Sequence, residues 1–500
     1  MTNTKTNTTT NTKTNTTNTK TNTTTNTKTN TTNSNSNTGG NLLASGGYGC
    51  VFSPALVCEG QTKRSPNKIS KLMTEKHAIS EYEEIVSIKE KLQNIKDYKN
   101  YFLIYDATLC KPATLTKEDL SDYTSKCRAL PKDKITKTNI NNNLDKLLSL
   151  NIPNGGLAVD DYLYDKGSIE KMHKIHQSLM KLFKKGIIPM NNRGVYHCDI
   201  KDSNVLVDTN SKTKLTRLID WGLAVEYVPF KDHPFPSSWK NRPFQFNVPF
   251  SVILFSDSFV EKYTAFLENR NNPTKDELKP FVIDYVTSWM KERGAGHYKF
   301  INEVMFELFS HSITSLSEDS KPQIVETQIT MNYIINYLVD VLAHFTKFGN
   351  NVKLNLRDYL DNVFIKIVDI WGFISIYFSF IEILFNNYSR LNVQEMKIFN
   401  KLKYIFVEFL YNPRHEPIDV NLLYSELKEL DYLFSNKLSY TFKSKKSKKY
   451  MRNVKSSSIE QDARGLKKTR RSFVSSKSSI SFKRLPNKRR FKNPFLLSLK

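Results

Sequence analysis

The order of hydrophobic and polar positions divides the chain into two polar ends and a globular middle. Residues 1–38 consist almost entirely of Thr, Asn, Lys and Ser, with no hydrophobic residue after Met1. Such a head cannot bury enough surface to offset the entropy of ordering, so it is predicted to be disordered. Residues 439–500 are rich in Ser, Lys and Arg with scattered single Phe and Leu, and the same prediction applies to this tail.

The pattern at the start of the globular middle predicts a small β-rich region with one helix. Residues 41–57 predict a strand, a glycine turn and a second strand, and NKISKLM (67–73) alternates apolar and polar positions as a strand does. The apolar positions of residues 75–92 recur at helical spacing. Residues 111–156 are polar and rich in Asn and Lys, and they are predicted to be loop and insertion.

The remainder of the middle is predicted to be mainly helical. LAVDDYLY (157–164) predicts a strand, and residues 169–185 predict a helix. NVLVD (204–208) and KLTRLID (214–220) predict two short strands, and residues 260–434 have a helical pattern. The predicted fold class is therefore α+β.

The strong positive charge lies at the ends of the chain. The formal net charge is +25, of which residues 443–500 contribute +18, and four lysines of the head leave only +3 for residues 39–442. The charge therefore says little about the chemistry of the globular part. Three roles stay open for the tail: a flexible solubilising or targeting segment, contact with nucleic acid or another anionic partner, and attachment to a membrane surface.

The cysteines and the first residues predict an intracellular protein. Five widely spaced cysteines, with no Cys-x-x-Cys pair, make a disulfide framework or a zinc site an unfavoured prediction, and a reducing compartment the favoured one. The first residues lack the apolar run of a signal peptide, so secretion is not predicted.

One apolar run, residues 367–385, is about long enough to cross a bilayer. It contains Asp369 and Glu382, and a charged group at bilayer depth costs roughly 2.5–3.5 kcal/mol even on insertion scales. We predict a buried core helix and no transmembrane segment.

The most informative polar motif is HCDIKDSN (197–204), followed by a DWG run that begins at Asp220. These residue types suit phosphoryl transfer, which requires the attacking hydroxyl, the γ-phosphate and metal ions to be held in line. Asp199 is the candidate proton acceptor, and Lys201 is the candidate contact to the transferring phosphate. Asn204 and Asp220 offer hard oxygen ligands that suit Mg²⁺.

A glycine turn upstream is the candidate nucleotide site, because glycines let backbone N–H groups approach phosphates. An isolated strand lysine, Lys71, follows it and is the candidate contact to the α- and β-phosphates of ATP. Glu81, or else Glu84, would pair with that lysine from the following helix. The candidate nucleotide-contacting residues of the turn are Leu43, Ala44, Ser45, Gly46, Gly47, Tyr48, Gly49, Cys50 and Val51.

In this order and spacing the motifs resemble those of eukaryotic-type protein kinases, and most of all the divergent putative serine/threonine kinases of large DNA viruses. The resemblance implies a two-lobed kinase domain over residues 39–438, with a small lobe at 39–165 and a large lobe at 166–438. Residues at about 252–360 are predicted to be a helical insertion, because this part of the chain is far longer than in the family pattern. The resemblance also implies ATP and Mg²⁺ as cofactors, Ser or Thr of proteins as acceptors, and a location in the host cytoplasm or a virion.

A further match lies inside the apolar run. Asp369-Ile370-Trp371-Gly372 resembles a buried helix that anchors the large lobe of kinases, in which the aspartate binds the backbone of the catalytic loop. The match explains a carboxylate in an apolar helix, because a buried charge must be paired or hydrogen-bonded.

Three positions depart from the family pattern. Ala44 replaces the first glycine of the turn, and Phe250 stands where an acidic residue is usual, which favours an apolar substitute for an ion pair. Cys198 stands where most kinases carry an arginine that contacts a phosphate on the activation loop. We therefore hypothesise that activity does not need such phosphorylation.

Two other functions remain open. Small-molecule phosphotransferases of the aminoglycoside or choline kinase type also use His-x-Asp, and their metal motif often reads Ile-Asp-Trp, as residues 219–221 do here. A catalytically weak scaffold with the kinase fold is the second alternative. It is less favoured because Lys71, Asp199 and Asp220 are all present.

Overall fold

The computed structural model describes residues 39–164, 168–209, 214–231, 235–240, 242–268, 270, 272–313, 317–347, 353–412 and 415–436. The predicted disordered head (1–38) and tail (439–500) lie outside these residues. The described part is α+β, with a helical majority and a small antiparallel sheet near its N-terminal end.

The largest sheet is antiparallel and five-stranded, in the order β1-β2-β3-β5-β4, and a three-stranded sheet has the order β6-β8-β9. Two further pairs are β7 with β10 and β11 with β12. The predicted strand, glycine turn and strand are confirmed, as is the strand that follows them. The strands are β1 (Asn41–Ser45), β2 (Gly49–Ser53), β3 (Lys68–Thr74), β4 (Thr108–Cys110), β5 (Leu147–Pro153), β6 (Leu157–Ala158), β7 (Val195–Tyr196), β8 (Val205–Val207), β9 (Thr216–Leu218), β10 (Val225–Glu226), β11 (Thr346–Lys347) and β12 (Lys353–Leu354).

Helices dominate after β10, as the hydrophobic spacing predicts. Several begin with side-chain caps that their sequences supply, such as the capping box in which Thr274 and Glu277 bond to each other's backbone at the start of α7. The helices are α1 (Glu75–Leu92), α2 (Tyr123–Lys126), α3 (Val159–Tyr164), α4 (Ile169–Leu182), α5 (Ile188–Asn191), α6 (Asp257–Leu267), α7 (Lys275–Arg293), α8 (Tyr298–Phe309), α9 (Lys321–Ile324), α10 (Met331–Phe345), α11 (Leu356–Tyr359), α12 (Ile365–Ser375), α13 (Phe378–Asn386), α14 (Val393–Phe406) and α15 (Val420–Ser435).

The five-stranded sheet is covered on both faces. Successive residues of a strand point to opposite faces, and in β3 Leu72 and Met73 lie in two different hydrophobic clusters. Met73 packs with α1 and with the main core, whereas Leu72 packs with residues of the 115–144 region. The sheet is therefore held between α1 and a segment that looks polar in sequence.

Two secondary-structure predictions were wrong. Residues 157–164 form a two-residue strand and then helix α3, in which Val159 and Leu163 are buried four positions apart on one helical face. Residues 111–156, predicted to be loop and insertion, contain α2 and the seven-residue strand β5. β5 lies between β3 and β4, so its backbone pairing, which sequence pattern does not reveal, determines its structure.

The prediction that disulfides are absent is contradicted. Cys50 is bonded to Cys127, and Cys58 is bonded to Cys110. The first pair joins positions 77 apart, so spacing along the chain gives no sign of it. Cys198 is the free cysteine, and it is buried. The cysteines therefore no longer support a reducing compartment, and the intracellular location stays a prediction without that argument.

The disulfides lead to a thiol count that can be measured. Protein purified without reductant and then denatured is expected to show one reactive thiol, that of Cys198, and five after reduction. The two bonds join positions 77 and 52 apart, and each is expected to stabilise the fold by about 4 kcal/mol, because closing the loop removes chain entropy from the unfolded state. Reduced protein should accordingly unfold at lower denaturant concentration. Five reactive thiols in the unreduced protein would contradict both bonds.

The apolar run lies in a longer helical stretch, Leu356–Asn386, which is apolar and long enough to span a membrane. In an 18-residue apolar part of this stretch, 89% is buried inside the fold. This burial is consistent with the predicted core helix and with no transmembrane segment there.

Candidate active site

The glycine turn between β1 and β2 lies over the end of the Lys71 side chain. The turn is closed by a hydrogen bond in which the Gly46 N–H donates to the Gly49 carbonyl at 2.8 Å. A Cβ on Gly46 would lie 3.6 Å from Lys71 Cε, and one on Gly49 would lie 2.7 Å from the Leu72 carbonyl oxygen. Glycine at position 49 is therefore required by close packing against β3.

The other predicted residues of the turn differ in accessibility. Ser45 and Cys50 are buried, and Val51 is half-buried. Ser45 Oγ accepts hydrogen bonds from the backbone N–H groups of Arg128 and Ala129, both at 3.1 Å. With the Cys50–Cys127 disulfide, these bonds attach the turn to residues 127–129. The exposed residues are Leu43, Ala44, Gly47 and Tyr48.

Lys71 forms an ion pair with Glu81 rather than with Glu84. The Lys71 ammonium donates to both carboxylate oxygens of Glu81, at 2.7 and 2.6 Å. Burial lowers the pKa of Lys71, but the carboxylates of Glu81 and Asp220 raise the pKa by more, so that it lies above the ordinary lysine value. Asp220, which is distant in sequence, is thus close enough to Lys71 to stabilise its charge.

Asp199 lies in a nearly closed shell of donors in the loop after β7. Its carboxylate accepts hydrogen bonds from Lys201 Nζ at 2.7 Å and from Asn204 Nδ2 at 2.9 Å. Burial alone would raise the pKa of Asp199, but the Lys201 ammonium and the hydrogen-bond donors outweigh it, and the pKa lies below its ordinary value. The group is therefore an anion at neutral pH.

Asn204 and Asp220 are brought together by the β8–β9 hairpin. Val205 pairs with Leu218, and the N–H of Ile219 donates to the Asn204 carbonyl at 3.0 Å. Asp220 is exposed and adopts the left-handed conformation (φ 64°), which is costly for a residue other than glycine. Among the described residues, no three His, Cys, Asp or Glu side chains converge as a metal-binding group.

The backbone of the HCDIKDSN loop is held by α12. Asp369 is fully buried, and its two carboxylate oxygens accept the N–H groups of His197 and Cys198, both at 2.8 Å. A Cβ on Gly372 would lie 2.7 Å from the Ile200 carbonyl oxygen, so glycine allows the helix to touch the loop. The contact implied by the resemblance, an aspartate on the loop backbone, is present.

Two residues of the site were missed by the sequence reasoning. Asn247 Nδ2 donates to Asp199 Oδ1 at 2.8 Å, and the Arg242 guanidinium donates to the Cys198 carbonyl at 3.1 Å. Both lie just before Phe250, in the stretch that was compared with the family pattern, but nothing in that pattern indicates that either side chain contacts the loop of Asp199.

Phe250, which stands where an acidic residue was expected, is buried in an aromatic cluster. Its ring centroid lies 5.2 Å from that of Trp371 and 6.0 Å from that of Tyr411. The expected apolar substitute for the ion pair is therefore present.

The segment that follows Asp220 is fastened to the helical stretch before α12. Asp361 is buried, and its carboxylate accepts a hydrogen bond from the Tyr227 hydroxyl at 2.5 Å and another from the Phe230 N–H at 3.0 Å. Arg357 donates to the Tyr227 hydroxyl at 2.5 Å. We call these contacts the Tyr227 clamp. It fixes the segment through hydrogen bonds between groups of the protein itself.

A scan against protein-family models finds none that matches the chain, and a search of curated proteins finds no match either. The resemblance to protein kinases therefore rests on the residues and contacts described above.

Proposed function

We propose that this protein is an ATP-dependent serine/threonine protein kinase. The observation that carries the proposal is that polar groups from separate stretches come together. Lys71 is paired with Glu81 and is influenced by the charge of Asp220. Ile219, the residue before Asp220, donates its N–H to the carbonyl of Asn204. The side-chain amide of Asn204 in turn donates to Asp199.

Each of these groups has a role in phosphoryl transfer. Lys71, beneath the glycine turn, would hold the α- and β-phosphates of ATP. The exposed carboxylate of Asp220 and the amide of Asn204 are hard oxygen donors that fit Mg²⁺, which neutralises phosphate charge when bound. Asp199, ionised and oriented by its donors, would accept the proton of the attacking hydroxyl. Lys201, paired with Asp199, would stabilise the charge on the transferred group.

The architecture supports the same function at the level of the fold. The five-stranded sheet with α1 fits a small lobe at residues 39–165, and the helices that follow fit a large lobe at residues 166–438. The insertion at about 252–360 would belong to the large lobe. The viral origin, the intracellular location and an anionic partner for the basic tail stay predictions.

A transfer assay tests the proposal. The full chain is incubated with Mg²⁺ and γ-labelled ATP together with basic proteins, acidic proteins and small alcohols, beside a Lys71→Met control. We expect label on protein Ser or Thr, and none from the control. Label on a small alcohol would indicate a small-molecule phosphotransferase, and no transfer to any acceptor would indicate a scaffold.

The Tyr227 clamp supports the hypothesis that activity does not need activation-loop phosphorylation. We expect initial rates after phosphatase treatment to stay within about twofold of the untreated rate, because the clamp supplies the contacts that a phosphate would otherwise make. Tyr227→Phe removes the hydroxyl and is expected to lower the rate by about tenfold, the size of one lost buried hydrogen bond to a charged group.

Mass spectrometry of residues 220–249 before each assay shows whether phosphate is present there. A rate that collapses when phosphate is removed, and recovers when it returns, would contradict the hypothesis. Ser87→Ala is the matched control, since it removes an exposed hydroxyl that bonds to Glu226, one residue before Tyr227.

A further inference from the structure

The proposed catalytic groups Asp199 and Lys201 are closed off from solvent. Asp199 is 2% exposed and Lys201 is 1% exposed. Asn247 covers Asp199 directly through its amide, and Arg242 contacts the carbonyl of the residue before Asp199. We call Arg242, Asn247 and the residues that pack on them the wall of the site. Part of this wall must move before an acceptor reaches the carboxylate of Asp199.

The helical insertion contributes to the same wall through His297, which precedes α8. Its N–H donates to the Phe244 carbonyl at 2.7 Å, and its ring lies 5.5 Å from that of Phe246. Gly296 adopts φ 52°, and a Cβ there would lie 2.5 Å from the Phe244 oxygen. The turn before α8 thus touches the backbone just before Asn247, and only glycine permits so close an approach.

His297 is also an electrostatic neighbour of the catalytic groups. Burial, together with the positive charge of Lys201, lowers its pKa to about 4. The charge of Asp199 raises this pKa and that of Arg242 lowers it, both by less than burial does. The imidazole is therefore neutral at pH 7, and each of its nitrogens can serve as donor or acceptor according to the tautomer.

Three buried polar atoms of this wall have no hydrogen-bond partner within the described part of the chain. They are one guanidinium nitrogen of Arg242, the amide oxygen of Asn247 and Nδ1 of His297. The first two belong to side chains that are more than nine-tenths buried. Unpaired buried polar atoms cost free energy, so the wall is easier to open here than where its hydrogen bonds are complete.

An extended peptide has the chemistry that these atoms lack. Each peptide residue offers one N–H and one C=O, which can pair with the asparagine oxygen and the guanidinium nitrogen. The three atoms are not accessible to solvent in the closed wall. A peptide acceptor carries several such groups on one chain, so its binding can compensate for opening the wall, whereas a water molecule brings no further contacts that favour the open state.

We propose that the insertion completes the acceptor side of the catalytic centre. His297, with Arg242 and Asn247, forms a gate that admits a peptide hydroxyl and excludes water. The inference rests on the proposed kinase function. In the reaction, the hydroxyl oxygen forms a bond to the γ-phosphorus, its proton passes to Asp199, and the bond to the β-phosphate oxygen breaks to release ADP. When water takes the place of the hydroxyl, the same step yields inorganic phosphate.

The test measures how ATP turnover divides between the two acceptors. ADP release and phosphoprotein formation are followed in the same reaction, with full-length protein and the best protein acceptor. His297→Ala is expected to raise the ratio of ADP to phosphoprotein by about tenfold, the effect of one lost buried hydrogen-bonding group, with an unchanged KM for ATP. His311→Ala is the matched control, since this exposed histidine of the same insertion stacks on Tyr388 and is expected to leave the ratio unchanged.

Thermal unfolding shows whether His297→Ala is folded, and His297→Gln, which keeps a hydrogen-bonding side chain, carries the same test if it is not. The glutamine variant is expected to have a ratio between those of the wild type and the alanine variant. A folded variant that transfers phosphate with the wild-type ratio would overturn the gate and leave the kinase function standing. A wild-type protein that transfers no phosphate to any acceptor would overturn both.

Discussion

Asp199→Asn is expected to lower phosphoryl transfer by about 10³-fold while nucleotide binding is retained, the range that loss of a positioned proton acceptor produces. The carboxylate is ionised because Lys201 and two amide groups donate to it. An asparagine side chain keeps the shape but is not a base. The NH₂ group of the new asparagine would also face the side-chain donors that now bond to the carboxylate, and two donors cannot bond to each other.

The same substitution leaves the buried Lys201 ammonium without its counter-charge. Breaking a buried ion pair from one side costs about 3 kcal/mol, so a fall in the free energy of unfolding is expected as well. The double variant Asp199→Asn with Lys201→Met removes both charges and is expected to regain stability but not activity. Denaturant unfolding, binding of a fluorescent ATP analogue and labelled-phosphate transfer are the three measurements. Transfer within tenfold of the wild-type rate would show that Asp199 is not the proton acceptor.

The parts of the site that the sequence predicts are those whose contacts are local. The β1–β2 turn and α1 follow from patterns of a few residues, because a glycine cluster permits the turn and apolar spacing gives the helix its buried face. The hairpin that places Asn204 beside Asp220 is similarly short. These elements need little information from elsewhere in the chain.

The remaining parts of the fold and the site depend on contacts between positions far apart in the chain. Local patterns of apolar and polar residues do not specify such contacts. β5 is itself largely apolar, but it lies in a stretch that is polar as a whole, and its place in the five-stranded sheet comes from backbone pairing with β3 along its whole length. Cys50 and Cys127 meet because the 115–144 region packs on the sheet face that contains Cys50. In the same way, nothing near Asn247 in the sequence indicates that its amide reaches Asp199.

One helical stretch organises most of the site. Over about three turns it places Asp361 on the segment after Asp220, Asp369 on the backbone of the catalytic loop, and Gly372 against Ile200. Trp371 from the same stretch donates its indole N–H to the Phe246 carbonyl at 2.9 Å. Because one rigid element makes all these contacts, the loop that holds Asp199 and the segment that covers it are positioned together.

The strongest test of this arrangement is Asp369→Leu, which is expected to destabilise the fold by about 3–5 kcal/mol, since two buried backbone N–H groups lose their carboxyl acceptor. The folded fraction is also expected to transfer phosphate at least about 100-fold more slowly, because the backbone that orients Asp199 is no longer fixed. Asp369→Asn keeps one acceptor oxygen, so its losses of stability and activity should both be smaller. Denaturant unfolding with rates corrected for the folded fraction measures both effects.

The control is a second carboxylate in the same apolar run. Burial and the charges of Asp202 and Glu303 raise the pKa of Glu382 to about 6, so its ionised form is unfavourable in the folded state. Its contribution to stability is favourable at acidic pH and is lost as the pH rises through 6. At pH 7.5, Glu382→Gln is therefore expected to leave the protein as stable as the wild type or more so, with activity unchanged. If Asp369→Leu were as harmless as Glu382→Gln, the carboxylate of Asp369 would not be what holds the catalytic loop in place.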